Sequence, residues 1–519
     1  MANKNLFKSL AGKLIPATDS TNEEQAPAYE FSAKQKLAQY AATGCLNSTF
    51  YASGRDQLDQ VMALCAVVEP EFIAKTAVYC REKGFMKDIP ALLCAALSTR
   101  DLALLATIFH RVVDNGKMLR NFVQIMRSGA VGRKSLGSAP KRLVQSWFDR
   151  QDEADLFCAA IGQDPSLEDV IKMVHPKPKT LRQEALYGYL LDRPHDAECL
   201  PQLVRQYEAF KKGESRDVPD VPFLKLTALN LSEEAWAKIA ARASWQTTRM
   251  NLNTFARHGV FTRPGLVQAI AERLRNPAAI SKARVFPYQL MAAYAMADGT
   301  IPDEVREALQ DAMEIAIRNV PAPGGRIYVC PDVSGSMSAP VTGHRKGATS
   351  AIRCIDVAAL VAAAMVRRSA SAEVLPFEQD VVNVALNPRD SVMTNAAKLA
   401  AIGGGGTNCS APLAVLNARK ATGDLVIFIS DNESWVDVRQ ARGTATMTQW
   451  QRFKSRNPAA KLVCIDIQPY GTTQAKERTD ILNVGGFSDA VFDVIAQFQA
   501  ASLREDHWIG EIEAATLNE

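Results

Sequence analysis

Tyr328 to Pro340 reads YVCPDVSGSMSAP: apolar β-formers run straight into a carboxylate and a row of small hydroxyls. In an extended segment, side chains two positions apart lie on the same side. Asp332, Ser334 and Ser336 are therefore expected to converge at the end of a strand. The surroundings repeat the strand signal. RIYVCPD, AEVLPFEQD, GDLVIFISD and AKLVCIDIQ are short runs rich in Val and Ile, with helical stretches such as CIDVAALVAAAMVRRS and DAVFDVIAQFQ interspersed. Buried apolar strands alternating with helices describe a doubly wound α/β domain with a parallel sheet. Ligands of such sheets collect at the carboxyl ends of the strands, where Asp332 and the Asp431 of FISDNES both fall.

A third segment belongs to the same crevice. In GGGGTNCS, Gly403 to Gly406 let the backbone approach closely and place Thr407 in a crowded position. Two carboxylates, three hydroxyls and water make an all-oxygen shell that suits Mg²⁺ and, less tightly, Mn²⁺ or Ca²⁺. Its low charge leaves room for an outside acidic ligand. The competing reading makes Asp332 a helix cap and Ser334 and Ser336 solvated turn residues. Capping, however, does not call for Thr407 and Asp431 in matching contexts. Enzyme readings fit less well: DVSGSMS is not the GxSxG elbow of a serine hydrolase, and GGGGTNCS lacks the lysine of a phosphate-binding P-loop.

The texture before residue 320 is different. QLDQVMALCAVV, FIAKTAVYCREKG, DLALLATIFHRVVDNG, MLRNFVQIMRSG and GLVQAIAERLRN carry apolar residues at helical spacing, several closing on Gly. Consecutive amphipathic helices on tight links bury their stripes against neighbours, which favours a stacked helical-repeat array. Within it, Lys117, Arg120, Arg127, Arg133, Lys134, Lys141, Arg142 and Arg150 stand against one acid, Asp149. The segment KMVHPKPKTLR adds Lys172, His175, Lys177, Lys179 and Arg182. A basic, glycine-bearing loop that opens a helix offers backbone N–H groups and cations together, which suits phosphate oxygens. TTRMNLNTFARHGVF holds Arg249, Asn251, Asn253, Arg257 and His258, side chains suited to hydrogen bonding with an unpaired strand. The bland alternative is a solvated cationic face. Trp147 and Phe148 flank an amphipathic run and read as core.

Composition sets the limits. The chain of 519 residues is 47% hydrophobic and 22% charged, as in an ordinary globular protein. Its net charge of +4 means that anionic partners must be recognised by local clusters. Ten cysteines without a CxxC pair form neither a disulfide framework nor a zinc knuckle, and fit a reducing compartment. No window reaches the roughly 18 apolar residues of a spanning helix, and the N-terminus has no signal-peptide pattern. The expectation is a cytoplasmic protein that does not enter membranes.

The DxSxS, Thr407, Asp431 set resembles the metal-ion-dependent adhesion site of von Willebrand factor A domains. RSGAVGRKSLGSAPKRLVQSWFD, SLEDVIKMVHPKP, RMNLNTF and KARVFPYQL resemble the TROVE module of Ro ribonucleoprotein autoantigens and their bacterial relatives. The resemblance spans nearly the whole chain. It implies a ring of HEAT-like helical repeats, residues 31–319, after an extension of residues 1–30, and closed by an A domain over residues 320–519. It also implies a non-catalytic scaffold that binds Y RNA on an outer basic surface and holds single-stranded ends of misfolded or structured noncoding RNA in a central hole. An exoribonuclease tethered through RNA is the implied protein partner, and a ring closed within one chain makes a monomer sufficient. One departure stands out: Leu167 occupies a position where animal members have a basic or imidazole side chain. An alternative function is a metal-dependent interaction module whose A domain captures a partner carboxylate.

Overall fold

A computed structural model of the chain describes residues 15–317 except 163, 284 and 286, then 324–344, 352–435, 443–486, 488–500 and 507–518. Two compact units emerge: Met1–Leu64 with Ile317–Ala514, and Cys65–Ala316 with Ala515–Glu519. The expected boundary at 319/320 lies outside the described residues.

The first unit holds strands β1 (Ser20–Thr21), β2 (Pro27–Glu30), β3 (Ile327–Pro331), β4 (Ala372–Val374), β5 (Leu425–Ser430), β6 (Lys461–Asp466), β7 (Thr472–Thr473) and β8 (Ile481–Gly485). Five of them form a sheet in the order β4-β3-β5-β6-β8, parallel at every pairing. Cys330, Phe428, Cys464 and Asn483 form one row across it. β3, β5 and β8 are buried throughout, which explains their unbroken apolar sequences. On one face Tyr328, Cys330, Val426, Phe428, Leu462 and Cys464 pack against Leu413, Leu416, Met447, Trp450 and Phe453 of two helices, Ala411–Ala418 and Ala445–Arg456. Helix Cys354–Arg368 also packs on β3. The chain leaves β3 for β4 on one side and returns to β5 on the other, so the strand order reverses between β3 and β5. That switch point opens a crevice between their carboxyl ends.

Residues expected to form an extension and the first helical repeat belong to this unit. β2 pairs with β7, Tyr29 opposite Thr473, and the Tyr29 ring is fully buried in the sheet core. Helix α1 (Ala33–Thr43), capped reciprocally by Ser32 and Gln35, packs on β8. Its amphipathic stripe is like those that follow. A helical period states which face is buried but not what buries it.

The second unit begins within α2 (Gly54–Val67) and continues through α3 (Pro70–Glu82), α4 (Asp88–Arg100), α5 (Leu102–Val112), α6 (Gly116–Ser128), α7 (Ser138–Arg150), α8 (Glu153–Ala159) and α9 (Leu167–Val174). Further helices extend to Asp303–Ile317. Side-chain caps start many of them: Asp101 for α5, Asn115 for α6, Asp152 for α8 and a Ser166–Asp169 capping box for α9. α4 is buried from Ile89 to Ser98, flanked by α3, α5 and α6. α5 packs on α7, and α6 and α7 both pack on α9. Each helix thus rests on others close by in sequence, the pattern of a repeat array. Trp147 and Phe148 are core, as their spacing indicates, and Cys80 and Cys94 are buried thiols. Among the described residues no helix is long and apolar enough to cross a membrane.

Candidate functional site

The end of β3 and the end of β5 deliver Asp332 and Asp431 side by side across the switch point. Asp332 is fixed from both sides: its Oδ1 accepts the Ser334 amide at 2.9 Å and its Oδ2 accepts the Ser430 hydroxyl at 2.5 Å. Its own amide donates to Ile429 at 3.0 Å, which extends the β3–β5 ladder by one residue. Ser334 and Ser336 hydroxyls lie 3.3 Å apart. The glycine loop docks on this turn through two backbone bonds, Gly335 N–H to Gly405 O at 3.1 Å and Gly404 N–H to Val333 O at 3.1 Å. Gly405 has φ +74°, and a Cβ there would meet the Glu378 carboxylate, so glycine is required. Thr407, which follows, is buried, and its carbonyl accepts the Ser434 hydroxyl and the Trp435 amide.

All five residues of the sequence pattern are buried at the carboxyl end of the sheet. Burial raises both carboxyls above the usual carboxylate range, and for Asp332 the Asp431 charge beside it adds to the effect. Asp431 Oδ2 is buried without a hydrogen-bond partner. Two adjacent buried carboxylates with an unpartnered oxygen and hydroxyls alongside fit a hard divalent cation, which would be held by Asp332, Ser334, Ser336, Thr407 and Asp431. Among the described residues no group of three or more His, Cys, Asp or Glu side chains is arranged to hold a metal. The hydroxyl-rich donor set is a different class of site.

The basic residues of the helical unit converge locally. Gln145 of α7 donates to the Val174 carbonyl of α9 at 2.6 Å, and Lys179 pairs with Asp149 at 3.2 Å. These links bring the two cationic segments onto one flank. Arg127 and Lys141, with Leu136 and Met173, line a cavity of about 360 Å³ at the start of α7. Gly137, at φ +73°, precedes that helix without a side-chain cap. Lys117, Lys134, Arg142, Lys172, His175, Lys177 and Arg182 are exposed. Arg120 and Arg133 are partly committed, donating to the Ala159 carbonyl at 2.9 Å and the Ser98 carbonyl at 2.7 Å. Lys87, exposed and near Lys117, is a further cation here; desolvation first and Lys117 second lower its pKa.

The third basic segment behaves differently from expectation. Arg249 is buried and donates to the Gln289 carbonyl at 2.7 Å; burial lowers its guanidinium to about 10. Asn251 and Asn253 spend their amides on the Thr247 and Met296 carbonyls. Arg257 and His258 are exposed, the latter stacked on Trp236 with ring centroids 4.1 Å apart. The alternation of polar side chains gave no sign that three of the five serve helix packing.

Residues 326–499 match the Ro60 vWA domain family. The curated RNA-binding protein RO60 of Deinococcus radiodurans is 25% identical over 539 aligned residues, covering 95% of this chain and 99% of that protein. The crystal structure of the Deinococcus radiodurans RO (RSR) protein has the same fold, with a TM-score of 0.60 at 21% identity over 91% of this chain and 100% of that one.

Leu167 is buried as the first residue of α9. Several residues near the candidate metal centre carried no sequence signal. Glu433 and Asp466 are buried close to Asp431, each with one unpartnered carboxylate oxygen, and Glu24 and Tyr51 approach from the N-terminal segment. They lie hundreds of positions away or outside the motif, and only folding assembles them.

Proposed function

We propose that the chain is a non-catalytic RNA-binding scaffold of Ro type that supports RNA quality control or maturation. The observation carrying this reading is the convergence of α6, α7 and α9, with Arg127, Lys141, Arg142 and Lys172 on one flank. Guanidinium and ammonium groups there hold phosphates of a structured RNA of the Y class, while Arg257 and His258 contact unpaired residues of misfolded RNA ends. The relative from Deinococcus is named as RNA-binding, which supports the same reading. In this reading an exoribonuclease reaches the chain through bound RNA, the working unit is a monomer, and the compartment is the cytoplasm. Mg²⁺ is the cation for the five oxygen-bearing residues; when bound, it supplies a positive charge to which an acidic group can attach.

The test is a salt titration of binding to a structured Y-class RNA. Affinity should fall steeply with salt, because neutralised phosphates release counterions. Lys141→Glu with Arg142→Glu should weaken binding far more than Arg452→Glu on the sheet unit. A flat salt response would overturn the reading.

A second reading, a metal-dependent protein-interaction module, draws on the exposed aromatic side chains Phe50 and Trp435, which are 53% and 46% accessible. Trp435 abuts the glycine loop beside Thr407. Partners lost to nuclease but kept in chelator favour the scaffold; the opposite pattern favours the module.

A further inference from the structure

A cavity of about 680 Å³ opens in the helical unit between residues 218–226 and the junction of helices Glu233–Arg242 and Trp245–Met250. That volume falls within the range of about 300–1,000 Å³ typical of small-ligand sites. Its floor is apolar: Val221, Leu226 and Ile239 are buried, and the half-buried Phe223 ring meets Trp236 and Phe255 edge-on at 6.0 and 6.1 Å. Its mouth is polar. Asp220 and Arg242 are exposed there, and the Ser244 and Thr247 hydroxyls lie 2.9 Å apart.

The two charges at the mouth are not consumed by the fold. Arg242 ends its helix, where a cation commonly turns back onto the last carbonyls. Arg273 takes that role instead, donating to the Ala240 carbonyl at 2.7 Å and to the Ala241 carbonyl. Neighbouring charges are paired, Lys238 with Glu234 at 3.1 Å and Arg263 with Glu233 at 3.2 Å. Among the described residues neither Asp220 nor Arg242 has an ion-pair or side-chain hydrogen-bond partner, and they do not pair with one another. An apolar floor with an aromatic ring, an acceptor and a separate guanidinium fit a nucleotide, its flat base against Phe223 and its phosphate on Arg242. Guanine alone among the RNA bases presents two adjacent N–H donors on one edge, a match for the two oxygens of a carboxylate.

We propose that this cavity takes a guanine nucleotide from an unpaired stretch of RNA, with Asp220 accepting from the base edge and Arg242 holding the phosphate. The proposal rests on the RNA-binding reading above and adds the base that the chain selects. The Ser244 and Thr247 hydroxyls face the ribose, whose 2′-hydroxyl both donates and accepts. Trp236, which meets Phe223 behind the floor, also stacks on His258. The cavity therefore belongs to the same aromatic cluster as a residue already assigned to unpaired RNA.

The test is fluorescence anisotropy of the full chain with two labelled pentanucleotides, UUGUU and UUAUU, with 5′-GMP and a structured Y-class RNA measured alongside. UUGUU should bind about tenfold more tightly, the order of one bidentate base contact. Asp220→Asn should erase that preference and leave UUAUU unchanged. Arg242→Gln should weaken both pentanucleotides equally and reduce the magnitude of the salt slope by about 0.7, the share of one single-strand phosphate. Both side chains are exposed, so neither substitution should disturb the fold. Equal affinity for the two pentanucleotides, or a preference that survives Asp220→Asn, overturns the guanine site; steeply salt-dependent binding of the Y-class RNA then leaves the scaffold reading standing. Binding of 5′-GMP without either pentanucleotide makes the cavity a free-nucleotide site and overturns its role in RNA. A flat salt response of the Y-class RNA overturns the scaffold reading itself.

Discussion

The Trp450 indole N–H donates to Asp480 Oδ2 at 2.9 Å, joining a helix on one face of the sheet to the residue before β8. Arg478 grips the same carboxylate through two nitrogens at 3.0 and 2.8 Å, and Lys454 is 3.9 Å away. Burial alone would raise Asp480, but the hydrogen bonds from Arg478 and Trp450 outweigh it and hold the carboxyl below its ordinary value. The folded pKa lies under the unfolded one, so the contribution is full above the unfolded pKa, about 3.9. It is lost as pH falls through the folded value. Asp480→Asn should cost about 2 kcal/mol at neutral pH, and the gap from the parent should narrow in urea titrations as pH falls below the unfolded pKa.

Asp332 and Asp431 repel one another when no cation lies between them. Asp431→Asn should therefore raise the melting temperature in chelator by a few degrees, since a repulsive buried pair is removed. It should also abolish the rise produced by Mg²⁺, which stabilises only a chain that binds it. Thermal denaturation with EDTA and with Mg²⁺ measures both effects.

Gly405 should not tolerate a side chain. A Cβ there would run into the Glu378 carboxylate, and the backbone φ is +74°. Gly405→Ala should destabilise the sheet unit by about 1–2 kcal/mol and weaken Mn²⁺ binding, because the displaced loop carries Thr407. Circular dichroism should still report a folded chain.

Arg249 separates packing from RNA contact. Its guanidinium is tied to Gln289 across two helices. Arg249→Ala should lower stability by about 2 kcal/mol while leaving the slope of RNA affinity against salt unchanged. Lys141→Ala should do the reverse, reducing the magnitude of that slope by about 0.7–0.9, the share of one phosphate contact. Filter binding at four salt concentrations distinguishes them.

The sheet was readable from the sequence because strands buried on both faces leave continuous runs such as LVIFIS, and because Asp332 and Asp431 each directly follow one. The same local rule exposed the helices and the caps at Asp101 and Ser166. It failed where identity depends on distant partners. Nothing in SAKQKLAQYAATG distinguishes α1 from the helices after it, yet α1 packs on β8 and its Gln39 donates to Asp466 at 2.7 Å. Arg249 and Arg257 are both cations in one short segment, and only the position of the Gln289 carbonyl decides that one is buried and the other exposed. Periodicity and motif spacing are short-range properties, so the sequence made β3 to β6 and the helical texture legible, while β1, β2, β7 and β8 carried no such signal. The bond from the Glu23 amide to Glu433 Oε2 at 2.7 Å joins segments 410 residues apart, a distance at which no local pattern operates, and tertiary packing alone decided it.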